Sequence, residues 1–203
     1  GENVGIPQNI RLARTHIQYW LPLSVEAYKG KKIDLVFGQA TKKDIGISQI
    51  KPSDTFDYTY DETYRPSFHF TPPYGWMNDP NGMIYKDGIY HLYYQYNPYG
   101  SKWGNMYWGH SSSRDLIHWE YHDPALARDT LGHIFSGSAI LDQEGIAGFG
   151  KDAILAYYTA HTIRTGKQWQ AQCLAYSTDN GMTFTKYAGN PILTAYDGVA
   201  DFR

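Results

Sequence analysis

Residues 82–97, GMIYKDGIYHLYYQYN, alternate apolar and polar side chains on either side of Asp87-Gly88, a dipeptide that favours a two-residue hairpin. The pattern then repeats. YWGHSSSRDLIHWEYH (107–122) reads as two further strands turning at Arg114-Asp115, and the same sequence of signals returns in GSAILDQEGIAGFGKDAILAYYTAH (137–161) and QAQCLAYSTDNGMTFTKY (170–187). Ser113-x-Asp115 leading to Trp119 is matched by Ser177-x-Asp179 leading to Phe184. The copies stand about 55–65 residues apart, somewhat longer than the roughly 40–50 of familiar propeller repeats. Four antiparallel strands per repeat is the unit of a β-propeller blade; a β-sandwich, which also turns at regular intervals, is the alternative. No long stretch carries helical periodicity. The fold class is therefore all-β.

Ahead of this region the pattern changes. Residues 1–37 contain THIQYWLPLSV and KKIDLVF around a YKGKK turn, which predicts a hairpin in a small N-terminal β-domain. Residues 38–65 collect Lys, Asp, Ser, Thr and Pro and read as a linker, and residues 66–203 as the first blades of a larger domain. A ring of blades closes with typically 4–8 of them. Two units and the start of a third leave a sheet edge open, so the chain reads as an incomplete, truncated propeller.

Bulk chemistry removes several function classes. The net charge of −2 offers no basic stripe for a nucleic acid. Cys173 is the only cysteine, so an internal disulfide and a thiolate zinc site are both excluded. His118 and His122 are four apart in strand-like sequence, where that spacing builds no metal face. No apolar run reaches the roughly 18 residues of a membrane span, and no signal peptide opens the chain. Nineteen tyrosines and six tryptophans suit aromatic strands and, secondarily, stacking against sugar rings.

One short stretch has more to say about chemistry. In GWMNDPNG (75–82), Pro80 pushes Asp79 toward extended geometry, and Asn81-Gly82 favours a type I′ turn. This predicts Asp79 at a strand end, its carboxylate held rigidly, as nucleophilic or general-base work requires. An Asp before Pro is also a common turn former.

WMNDPNG resembles the signature of glycoside hydrolase family 32, the invertases, inulinases and levanases that cleave β-fructofuranosides. YYQYNPYGSKWGNMYWGHSSSRDLIHW (93–119), FSGSA (135–139) and YSTDNGMTFTKYAGNPIL (176–193) resemble further blocks of the family, in family order, and the final DFR is similar to the start of its Phe-Arg-Asp-Pro block. The N-terminal segment resembles a short β-domain that precedes the catalytic module in some bacterial members. The resemblance implies a five-bladed β-propeller, of which this chain holds the first two to three blades. It implies Asp79 as the nucleophile, Asn78, Gln95, Trp103, Phe135 and Ser136 around the fructose ring, and Arg203 reaching a fructosyl hydroxyl. It also implies retaining hydrolysis of sucrose, levan or inulin outside a bacterial cell, with no metal or organic cofactor. A fructosyltransferase or a non-catalytic sugar-binding propeller are the alternatives. Trp108, Trp119 and His110 read as packing residues.

The family takes its acid/base from a Glu-Cys block that this sequence does not contain, and its transition-state-stabilising Asp would follow Arg203. Glu120 and Glu144 are the only glutamates after Asp79, and neither lies in such a context. The 203 residues alone are therefore expected to release negligible fructose from sucrose, inulin or levan, since acid/base catalysis contributes typically about 10²–10⁴-fold. A reducing-sugar assay at ordinary enzyme rates would contradict this.

Overall fold

The computed structural model describes residues 5–41, 43–195, 199, 201 and 202. Two antiparallel sheets form the ordered body. The first runs β1 (Trp76–Lys86), β2 (Ile89–Asn97), β3 (Tyr107–Ser113) and β4 (Trp119–Leu126), each strand paired with the next. The second repeats this with β5 (His133–Asp142), β6 (Ala153–Arg164), β7 (Lys167–Ser177) and β8 (Thr185–Lys186), and the short β9 (Leu193–Thr194) also pairs with β7. No closed ring or barrel is formed by the described residues.

The turns follow from local chemistry. Lys86 faces Ile89 across Asp87 (φ 50°) and Gly88 (φ 81°), the two positive-φ positions of a type I′ hairpin. Arg164 faces Lys167 across Thr165 and Gly166 in the same way. The Ser-x-Asp repeats close alike. Ser113 Oγ donates to Asp115 Oδ1 at 3.1 Å and Ser177 Oγ to Asp179 Oδ1 at 2.6 Å, while each serine oxygen accepts the backbone N–H of its aspartate. The repeat seen in the sequence is thus a repeat of hydrogen bonds.

Tyr93, Trp108, Leu126, Ile134, Tyr158 and small residues of β6 and β7 bury a shared core between the sheets. At about 25 cal/mol per Å² of apolar surface, large rings such as Trp108 and Tyr93 dominate this term. Polar ties fix the relative position of the sheets. Trp108 Nε1 donates to Phe135 O (3.0 Å), Gln95 Nε2 to Ile134 O (2.8 Å) and Tyr93 Oη to Gly181 O (2.8 Å). Lys186 Nζ joins Asp129 Oδ2 (2.6 Å).

Two expectations from the sequence do not hold. Residues 15–37 form no hairpin; the described part of the chain before Trp76 carries only a 3₁₀ turn at Glu26–Tyr28 and a single helical turn at Ile45–Ser48. Pro22 removes a ladder donor from the first run, and Leu35-Val36-Phe37 breaks the two-residue period of the second, leaving Val36 87% exposed. Asn81-Gly82 is not a turn either. It lies inside β1 at a register shift, because β1 must continue past it to bury Asn81 and to pass Gly82 so close to the Trp108 and Tyr93 rings that a Cβ there would stand 3.0 Å from each.

Across β2, β3 and β4, the rings of His91, His110 and His122 lie in sequence against one another within the first sheet. His91 Nδ1 lies 3.0 Å from His110 Nε2, and His122 Nε2 lies 2.7 Å from Ser112 Oγ. Burial, then the neighbouring histidines, lower the His110 pKa to about 3; burial likewise lowers that of His91. The His110 and His91 rings fold neutral but are protonated in the unfolded chain below the ordinary value of 6.5. The unfolded state therefore binds more protons as pH falls from 6.5 toward 3, and stability falls with it. Urea midpoints are expected to drop between pH 7 and pH 5, before ordinary carboxylates titrate, and the drop is expected to shrink in His110→Gln.

Candidate active site at the junction of the sheets

The site is built where two strands break their registers. In β1, Met77 faces Tyr96 and Pro80 faces Tyr94, so Asn78 and Asp79 together oppose Gln95. In β5, Phe135 faces Thr159 and Gly137 faces Tyr158, so Ser136 is the extra residue. A bulge re-aims side chains that the pleat would otherwise direct alternately up and down. Here the two bulges meet: Ser136 Oγ donates to Asp79 Oδ2 at 2.6 Å, a short charge-assisted bond between the sheets. The backbone N–H of Gly137 donates to Asn81 Oδ1 at 3.2 Å and fastens the same junction one step deeper.

Around this pair the predicted residues take different positions. Asp79 is half-buried and Asn78 is exposed beside it. Gln95 is buried, with its Nε2 committed to Ile134 O, so it holds the sheets together as well as facing the β1 bulge. Phe135 is half-buried and lies flat on the His161 ring, centroids 4.3 Å apart at 13°. Trp103 is 55% exposed in the loop after β2, with its ring edge-on to Phe135 at 6.2 Å. Trp103, Phe135 and His133 thus form one aromatic cluster beside the β5 bulge. Arg203 lies outside the described residues. Its neighbour Phe202 crosses β6 and β7: Phe202 N donates to Gln170 Oε1 (2.6 Å), and Phe202 O accepts from Gln172 Nε2 (2.7 Å). Thr159, the register partner of Phe135, also donates to Phe202 O, so Phe202 lies beside the β5 bulge. Glu120 and Glu144 are both exposed, on β4 and on the turn between β5 and β6.

The sequence did not disclose His133 and His161. His133 Nδ1 accepts the Met106 backbone N–H at 3.0 Å, which places the proton of the neutral ring on Nε2. Burial, then the Arg128 charge, lowers its pKa to about 4, and burial lowers that of His161. Both rings depend on the pairing of His133 with His161 across β5 and β6, which no local motif announces. No group of three or more His, Cys, Asp or Glu suited to a metal occurs among the described residues.

Residues 69–203 match the model of the glycosyl hydrolases family 32 N-terminal domain. The chain belongs to this family. Within family 32, it is 54% identical over 147 residues to a levanase of Bacillus subtilis, covering 71% of this chain and 21% of that protein. It is 41% identical over 168 residues to an invertase of Schwanniomyces occidentalis, covering 79% and 30%. The crystal structure of an exo-inulinase from Aspergillus awamori superposes with a TM-score of 0.61 at 44% identity, over 68% of this chain and 30% of that one. Relatives are thus both bacterial and fungal, and the chain spans between a fifth and a third of their length.

The β5 bulge tolerates no side chain at Gly137. A Cβ there would stand 1.9 Å from Tyr157 O and 2.9 Å from Tyr158 Cα, both backbone atoms. Gly137→Ala is expected to part β5 from β6 at the bulge and to cost about 1–3 kcal/mol or more by urea denaturation. Gly88→Ala, which meets nothing within 4 Å but keeps a positive φ, is expected to cost less, about 1 kcal/mol.

Proposed function

We propose that Asp79 is the nucleophile of a retaining β-fructosidase, and that this chain supplies the fructose-binding side of its active site. The observation that carries this reading is the Ser136 hydroxyl donating to the Asp79 carboxylate across two facing bulges. A carboxylate that accepts such a bond is oriented by its donor, as a side chain that attacks a sugar carbon must be. Attack of Asp79 on the anomeric carbon breaks the bond to the leaving oxygen, which takes a proton from a carboxylic acid. Water, deprotonated by that same group, then displaces Asp79 and releases fructose. The two carboxyl groups of such a pair stand about 5–5.5 Å apart. We assign the proton donor to a part of the parent protein beyond these 203 residues, since Glu120 and Glu144 are both exposed and lie on other strands or turns.

In this reading Asn78 and the amide oxygen of Gln95 hydrogen-bond sugar hydroxyls. Trp103 and Phe135 exclude water and pack on the apolar side of the ring, and Arg203 binds a fructosyl hydroxyl. The two sheets are the first blades of a five-bladed propeller, with the N-terminal segment an appendage to it. Levan and inulin are the favoured substrates, supported by relatives named levanase and exo-inulinase, and sucrose is the simpler alternative. The site of action is outside the cell, in keeping with the name extracellular exo-inulinase carried by several fungal relatives.

Asp79→Asn in the parent protein keeps the volume and the Ser136 contact but removes the nucleophile. Fructose release is expected to fall by roughly 10⁴-fold or more, with folding unchanged by circular dichroism. Residual activity within tenfold of wild type would reject Asp79 as the attacking group.

A further inference from the structure

Between β2 and β3 the chain makes the loop that carries Trp103, and its far end is held by a segment almost a hundred residues away. Asn105 is 1% exposed and its backbone is left-handed, with φ 40°. Its Oδ1 accepts the backbone N–H of Asn9 at 2.8 Å, and its Nδ2 donates to Asn9 O at 2.9 Å. One amide side chain thus pairs with both backbone groups of one residue, as a neighbouring strand would. Arg128 Nη1 donates to the same Asn105 Oδ1 (2.9 Å) and to Pro7 O (3.3 Å), and Gln8 Nε2 donates to Tyr107 Oη (2.8 Å). None of these bonds uses the exposed side chain of Asn9.

The same asparagine closes the loop from inside. Asn105 Nδ2 also reaches Asn97 Oδ1 at 3.2 Å, and Asn97 Nδ2 donates to Lys102 O at 2.8 Å, the residue before Trp103. Next to Asn105, Met106 binds His133, whose ring lies 5.7 Å from Trp103. A continuous set of hydrogen bonds therefore runs from residues 7–9 to the base of Trp103, which is otherwise more than half exposed. A large aromatic ring on an unsupported loop gives up part of its contact energy to being ordered on binding.

We propose that residues 7–9 act as a strap that pre-orders the Trp103 loop through Asn105, a positioning residue, and so strengthen capture of the carbohydrate without touching it. This rests on the reading of Trp103 as part of the sugar-binding wall. Because Asn9 is recognised through its backbone, the side chain at position 9 is irrelevant and its N–H is essential.

The test compares wild type, Asn9→Ala and Asn9→Pro in the active protein that contains this chain. Hydrogen exchange of peptides covering residues 98–106 is followed by mass spectrometry, beside KM and kcat on inulin and levan. Asn9→Ala is expected to match wild type. Asn9→Pro is expected to exchange several-fold faster in the loop and to raise KM several-fold at unchanged kcat, and deletion of residues 1–10 is expected to do the same. Equal exchange in all forms would overturn the strap. Faster exchange with unchanged KM would overturn its part in substrate capture. A wild-type protein without turnover would count against Asp79 as nucleophile, and the exchange comparison would still decide whether the strap exists.

Discussion

The hydrogen bond from Ser136 to Asp79 joins two strands that belong to different sheets, and most of the molecule is arranged so that it can form. Each partner is displaced from its regular pleat by a bulge, and a bulge in isolation weakens a sheet by leaving a residue unpaired. Both are stable here because the strands around them are locked. Trp108 and Gln95 hold the backbone of Phe135 and Ile134, the residues on the approach to Ser136, from the first sheet. Asn81 holds Gly137 on the other side. Relative displacement of the sheets would break all of these bonds together, which is why a site divided between two sheets can still be preorganised.

That arrangement also explains why the cores are so aromatic. A Tyr or Trp ring buries much apolar surface and carries one polar atom at its rim. Tyr93 and Trp108 fill the space between the sheets and then use that atom to reach backbone carbonyls of the second sheet, at Gly181 and Phe135. Aliphatic residues of equal volume would bury comparable area but leave two carbonyls without donors, at a cost of about 1–3 kcal/mol each where they are desolvated. The excess of tyrosine visible in the sequence is thus tied to inter-sheet registration as much as to sugar contact.

What could be read from the sequence was what local chemistry decides. The Asp87-Gly88 turn, the paired Ser-x-Asp turns and the alternating strands on either side are encoded within a few residues, and they fold as read. The Asn81-Gly82 turn failed for the converse reason. Its local preference is real, but Asn81 is worth more buried against Gly137 than exposed at a turn, and tertiary packing overrode it. Likewise the WMNDPNG block pointed to Asp79, yet nothing near it in sequence reveals that Ser136 and Asp79 sit in facing bulges. Register shifts arise from the pairing of distant strands, so His133, His161 and the role of Gln95 as a tie were out of reach.

The N-terminal segment completes the contrast. Read as a hairpin, residues 15–37 would need a face to bury, and neither run supplies one without interruption. The chain instead attaches through main-chain atoms of Pro7 and Asn9 to Arg128 and Asn105, with the Gln8 side chain adding bonds to Tyr107 and Arg128. Its main-chain part leaves no periodicity and no motif, because it uses an N–H and a C=O that every residue but proline possesses. Main-chain recognition of this sort is legible only once the receiving side chain, buried and left-handed at Asn105, is seen in place.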